Sequence, residues 1–249
     1  MAVLWGRHHV KYGHVETDAP ADGVALAMSR GLHPKAYRWV DPNEDVVASV
    51  VGPRATLLVV ADGHNGLVAP EVAMRTVLDA FGDDPQPEPD DDELVALFHK
   101  ASVAVFSATR ELTDMVRRES RTTLSLAVVS HRRLCWAALG DSSVLVAEAD
   151  YGMELTHGEN TFLGTPMALA RVDKVLQRGR GTLGDDAWVA VASDGFANFR
   201  LAPSTAAAAA AVLSDAKDAT HAARGLIEHA FTGGAGDNVA VGVVAPPQT

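Results

Sequence analysis

A chain of 249 residues, 47% hydrophobic and 21% charged, has the composition of a globular protein large enough to bury a substantial core. Its formal net charge of −11 argues against nucleic acid as an obligatory partner. A single cysteine excludes an intrachain disulfide, and no run approaches the roughly 18 apolar residues of a membrane span, so a cytoplasmic protein without a leader is expected.

Residues 1–21 carry no clear period; a frayed or surface strand is expected, and His8, His9 and His14 are too irregularly placed for a metal site. VALAM (24–28) reads as a short strand, followed by a turn at Ser29-Arg30-Gly31 and a proline-bearing loop that carries Lys35 and Arg38. Asn43-Glu44-Asp45 leads into VVASVV (46–51), and Gly52-Pro53 turns the chain into TLLVVA (56–61). These two β-branched runs, so closely joined, predict an antiparallel pair. The second is continuously apolar, as a strand buried on both faces is, and it runs straight into Asp62-Gly63-His64-Asn65-Gly66.

The period then becomes helical. Val68, Val72, Val77, Leu78 and Phe81 share a face, and Gly82 is a stop. The acidic stretch DDPQPEPDDDE (83–93) is a solvated linker whose Asp90–Asp92 can cap a second helix, apolar at Leu94, Leu97, Phe98, Ala101, Val105, Ala108 and Leu112. From Thr122, TTLSLAVVS, LCWAALG and SVLVAEA read as a meander of hairpins, in which Cys135 is a small core residue rather than a nucleophile. Residues 150–186 are polar, weakly patterned and read as a long excursion. WVAVASDG (188–195) is a strand, residues 204–213 an alanine-rich helix, 215–231 a second helix, and GDNVAVGVV a closing strand. This order predicts an α+β fold, a four-layer α-β-β-α sandwich of two antiparallel sheets flanked by helical pairs, as one domain over 1–249.

Asp62 and Asp194 each follow a strand, whereas Asp141 and Asp237 each precede one. In antiparallel sheets such positions are neighbours, so all four carboxylates can share one rim, with Asp45 able to join them. Each of the four is next to a glycine (Gly63, Gly195, Gly140 and Gly236), which permits sharp turns and close approach to an ion. Clustered carboxylates repel one another unless cations neutralise them, and oxygen-only ligands select Mg²⁺ or Mn²⁺. Two such ions lower the pKa of a water and stabilise displacement at phosphorus. The competing reading is a set of separate Asp-Gly turns in solvent.

Six short motifs in one order carry a resemblance to the metal-dependent serine/threonine protein phosphatases of type 2C, over roughly residues 22–245. Asn43-Glu44-Asp45 resembles the family's first acidic motif, and ADGHNG (61–66) its Asp-Gly-His-Gly-Gly signature. RTTLSLAVV (121–129) is similar to the Gly-Thr-Thr strand, LGDSSVLV (139–146) to the Gly-Asp-Ser-Arg motif, and ASDGF (192–196) and GDNVAV (236–241) to the last two. The resemblance implies a phosphoserine/phosphothreonine phosphatase acting on phosphoproteins opposite a Ser/Thr kinase, with a water activated between two Mg²⁺ or Mn²⁺ ions. It implies that Asp62 bridges both ions, that the Gly63 carbonyl completes one, and that Asp194 and Asp237 bind the other. Glu44 and Asp45 would act through waters, Asp141 with Asp194 could hold a weaker third ion, and His64 would protonate the departing oxygen. Asn238 would fix the turn at Asp237.

The departures are specific. Val40 stands where relatives often carry a phosphate-holding arginine, leaving Arg38, Lys35 or Arg30 as candidates for that contact. Arg121 replaces the glycine before Thr122-Thr123, Ser143 replaces an arginine, and the flap-like excursion 150–186 is short, with Leu155-Thr156 continuing into Gly158-Glu159. Two alternatives therefore stand beside the phosphatase: a phosphatase-like binding or regulatory module, and a di-metal hydrolase of small phosphoesters.

Overall fold

A computed structural model describes residues 1–34, 40–149 and 151–246. The chain opens with strands β1 (Ala2–Trp5), β2 (Glu16–Ala21), β3 (Val24–Ser29), β4 (Val46–Val51), β5 (Thr56–Ala61) and the two-residue β6 (Gly63–His64). Helices α1 (Val68–Phe81) and α2 (Asp91–Arg110) follow, then β7 (Arg121–Thr122), β8 (Leu124–Ser130), β9 (Arg133–Leu139), β10 (Ser143–Glu148) and β11 (Tyr151–Glu154). Next come α3 (Leu169–Val175), β12 (Gln177–Thr182), β13 (Trp188–Ala192), α4 (Asp194–Asn198), α5 (Thr205–Ser214), α6 (Ala219–Thr232) and β14 (Val239–Val244).

The strands form two antiparallel six-stranded sheets, ordered β1-β4-β5-β8-β9-β12 and β11-β10-β13-β14-β3-β2, with β6 and β7 as a small separate pair. The continuous apolar runs are explained by burial on both faces. Along β5, Leu57, Val59 and Ala61 pack under α1 and α2, while Leu58 and Val60 face the second sheet. Along β14, Val239, Val241 and Val243 pack under α5 and α6, while Ala240 faces the first sheet. The result is the four-layer α-β-β-α sandwich, with three apolar layers between its elements.

The helices begin and end where their chemistry directs. Asp90 accepts the Glu93 N–H at 2.8 Å while Glu93 accepts the Asp90 N–H at 2.8 Å, a reciprocal cap that starts α2 in the acidic linker. Ser204 and Asp218 cap α5 and α6. The alanine run of α5 has a packing reason beyond helix propensity: the helix lies so close to β11 that a Cβ on Gly152 would stand 2.1 Å from the Ala206 carbonyl oxygen.

Two expectations are corrected. The meander from residue 122 breaks after β9: β10 pairs with β11 and β13 in the other sheet. Gly140 makes the step, at φ 111° and where a Cβ would collide with the Thr123 side chain, and Ser142 anchors it through a 2.7 Å hydroxyl contact with Thr123. Hydrophobic pattern is blind to this crossing, because β9 and β10 are both inward-facing runs. The excursion is also more ordered than its sequence suggests. Its β12, QRGRGT, pairs with β9 as an edge strand, and its arginines bind the start of α2, with Arg180 Nη1 2.6 Å and Arg178 Nε 3.2 Å from Asp91. Edge strands tolerate such polar sequences, and their charges discourage further pairing. The N-terminal segment, expected as a frayed or surface strand, supplies two edge strands, β1 and β2.

Candidate active site

The ends of the central strands meet at one rim. Asp62 leaves β5, Asp194 leaves β13 and opens α4, Asp141 lies in the step between the sheets, and Asp237 precedes β14. Carboxylate oxygens of Asp62, Asp141 and Asp194 lie within 4.8 Å of one another. Asp237 is near enough for its charge to be felt at both Asp141 and Asp194. Four acids separated by up to 175 positions in sequence are thus gathered from both sheets.

This crowding has an electrostatic signature. The Asp194 carboxyl is held well above the usual carboxylate range, first by burial and then by Asp62, which is both a negative neighbour and a hydrogen-bond partner. Asp141 is raised as well, mainly by burial, with Asp237 adding to the effect and the Arg121 guanidinium opposing it. Such a cluster is under tension as a set of bare anions. Its donors are all oxygen, with no thiolate, which is the chemistry of a hard divalent cation. Cys135 lies elsewhere: it is buried, its Sγ is 3.7 Å from the Pro89 carbonyl oxygen, and burial pushes its thiol pKa up.

Glu44 and Asp45 are fully covered and tied into the rim rather than set among the three convergent acids. Ser193 Oγ donates to Asp45 Oδ2 at 2.8 Å, which fixes Asp45 beside the residue preceding Asp194. The Asp41 N–H donates to Glu44 Oε1 at 3.0 Å. Asn238 locks three segments together: its Oδ1 accepts the Glu44 N–H at 2.9 Å, and its Nδ2 donates to the carbonyls of Arg30 and Pro42. The main chain is packed tightly here, since a Cβ on Gly195 would lie 1.9 Å from the Asn238 carbonyl oxygen.

Sequence reasoning recognised Thr122-Thr123 as part of a motif but missed what they hold. Thr122 Oγ1 donates to the Asp62 carbonyl at 2.8 Å, and Thr123 Oγ1 accepts the Asp62 N–H at 3.1 Å. Two adjacent hydroxyls entering a wholly buried strand were the available signal, because buried hydroxyls need partners. Replacing Thr123 with valine keeps the shape but strands the Asp62 N–H and the Ser142 hydroxyl. The expected loss is about 1–3 kcal/mol of unfolding free energy, measured by denaturant titration; an unchanged midpoint would show that the clamp carries no net stability.

His64 stands on β6 beside β7, its ring edge-to-face with Phe162 at 5.0 Å between centroids. Arg30 donates to the Val10 carbonyl at 2.8 Å and covers the Tyr12 ring. Lys35 and Arg38 lie outside the described residues.

Comparison with known proteins agrees with this architecture. A sequence model of the protein phosphatase 2C family matches residues 35–227. No curated protein matches in sequence. Among solved structures, a bacterial serine phosphatase carrying an arginine-to-alanine substitution superposes with a TM-score of 0.75 at 17% identity, covering 91% of this chain and 99% of its own. The Staphylococcus aureus serine/threonine phosphatase gives 0.70 at 17% identity, covering 98% and 100%. The Mycobacterium tuberculosis serine/threonine phosphatase gives 0.67 at 20% identity, covering 94% and 99%. These likenesses show a shared fold, and the family match spans well over half the sequence: the chain belongs to the protein phosphatase 2C family.

Proposed function

We propose that this chain acts as one catalytic domain that removes phosphate from phosphoserine and phosphothreonine in proteins, using Mg²⁺ or Mn²⁺. The observation that carries the reading is the meeting of Asp62, Asp141 and Asp194 within 4.8 Å, with Asp194 forced toward its neutral form in the absence of a cation. We assign Asp62, the Gly63 carbonyl, Asp194 and Asp237 as direct ligands of two ions, and Glu44 and Asp45 as acceptors for their waters. Asp141 with Asp194 is assigned to a weaker third ion. When bound, the ions supply a water of lowered pKa and positive charge against the phosphoryl oxygens.

The protein's own groups do the rest. Thr122 and Thr123 hold the Asp62 main chain in place, Asn238 fixes the segments bearing Glu44 and Asp237, and Ser193 orients Asp45. Hydrolysis breaks the bond between phosphorus and the side-chain oxygen of the substrate, and that oxygen takes up a proton. We assign the donor as His64, because imidazole ordinarily titrates near neutrality. A Ser/Thr kinase is the class of enzyme that supplies such a substrate.

The test is phosphate release from a phosphothreonine peptide with Mn²⁺, with Mg²⁺ and with chelator, beside phosphorylated metabolites. Release from the peptide that depends on metal and ends on chelation is expected. Preference for metabolites would make the chain a small-phosphoester hydrolase, and no release from a folded, metal-loaded protein would make it a binding module.

A further inference from the structure

Beside the acidic rim lies a cleft of opposite character, about 390 Å³ in volume. Its lining includes Arg121, at the position where the resemblance leads one to expect glycine, and Arg171 on α3. Phe162, Pro166 and Met167 give it apolar surface, Asn160, Thr161 and Thr165 contribute polar groups, and among the described residues no carboxylate lines it. Among the described residues, neither guanidinium has a carboxylate partner within salt-bridge distance, although the chain carries a net charge of −11.

The cleft is joined to the candidate site by three contacts. The Arg121 guanidinium lies 4.6 Å from the Phe162 ring centroid, and the same ring meets His64 edge-to-face. The Arg121 charge is felt at Asp141, inside the carboxylate cluster. Paired hydrogen bonds of 2.9 and 2.8 Å between Thr122 and Leu163, the residue after Phe162, clip this segment to β7, the strand that pairs with His64. The cleft that holds both arginines thus adjoins the rim through Arg121, Phe162 and β7, on the path of the residues flanking one whose phosphate occupies the rim.

We propose that this cleft selects the substrate by binding a second anionic group, a carboxylate or a second phosphoryl, on a residue close to the phosphorylated one. The inference rests on the phosphoprotein reading above and adds the class of sequence that is preferred. Arginine suits this role because its planar fork pairs with carboxylate and phosphate alike. The pairing is solvent-exposed, so its effect is moderate and is weakened by salt.

The experiment compares four phosphothreonine peptides that differ only at the flanking residues: alanines, glutamates, lysines, or a second phosphothreonine. For each, kcat/KM is measured with Mn²⁺, and the Kd of a fluorescein-labelled copy is measured by anisotropy, on the native protein, Arg171→Ala, Arg121→Ala/Arg171→Ala and Arg171→Lys. Melting curves establish that each variant is folded. Roughly three- to tenfold preference for the glutamate or doubly phosphorylated peptide over alanine is expected, smaller at high salt. It falls toward unity in the double variant and is partly kept by Arg171→Lys. The glutamate and phosphothreonine arms tell the two anions apart. Equal treatment of all four peptides, or a preference that survives loss of both arginines, overturns the inference while leaving turnover of the alanine peptide intact. If no peptide is hydrolysed, the phosphatase reading fails by itself, and the ratios of Kd still decide the role of the cleft.

Discussion

Asp62→Asn is expected to lower phosphate release by about a thousandfold or more, because on the assignment proposed above it removes a metal ligand and with it several kcal/mol of stabilisation at phosphorus. The substitution is chosen for what it leaves in place. Thr122 and Thr123 grip the main chain of residue 62, not its carboxylate, and asparagine has the same shape. The variant should therefore give an unchanged circular dichroism spectrum and a cooperative melt while losing turnover. Retained activity in a folded Asp62→Asn protein would end the assignment of Asp62, and with it the two-ion reading of the rim.

The second large effect concerns stability. Asp194 has a folded-state pKa raised well above its ordinary 3.8, by burial and by Asp62. For a raised acid, both folded and unfolded chains hold the proton at low pH, and no penalty exists there. As pH climbs past 3.8, the unfolded chain gives up its proton first, so stability falls until the folded group has also ionised, and the penalty then stays constant. Chelated protein should thus melt at a higher temperature near pH 5 than near pH 7.5 as far as this group is concerned. Asp194→Asn should remove that part of the slope. It should also raise the chelated melting temperature, by about 2–4 °C for each kcal/mol of repulsion relieved in a chain of this size. The amide oxygen can still accept the Asn198 side-chain N–H that Asp194 accepts at 2.9 Å. Added Mn²⁺, which should stabilise the native protein by mass action, should stabilise the variant far less. A variant that melts lower than native protein in chelator would show that the clustered charge is not a source of strain.

What the sequence disclosed, and what it hid, follow from the same physics. The strands β5, β8, β13 and β14 were readable because burial on two faces demands unbroken apolar runs, and α2 because its acidic linker carries its own cap. The rim acids were readable because each is an Asp beside a glycine at a strand's end. Hidden was anything set by partner choice rather than by local pattern. Leu145 in β10 looks the same whether its strand pairs with β9 or crosses to β13. The polar β12 is a strand through its pairing with β9, and its arginines meet Asp91 across 87 or more positions of sequence. The Thr122-Thr123 clamp on Asp62 and the three-way lock of Asn238 join residues about 60 and 194 positions apart, respectively, and no local spacing encodes them.

The placement of β14 has a consequence for synthesis. Among the described residues it is the strand latest in sequence, yet it sits in the interior of its sheet, hydrogen-bonded to β13 on one side and on the other to β3, more than 200 positions earlier. Until residues 237–244 have left the ribosome, β3 lacks one of its neighbours, and the segments bearing Arg30 and Glu44 lack the Asn238 that joins them. Contacts that close such long loops form late and fold slowly. A nascent or prematurely terminated chain is consequently left with an open β3 edge and a divided rim, a state that chaperones and proteases can recognise. A rim that gathers its acids therefore waits for residues 237–244, however much of the two sheets is already formed.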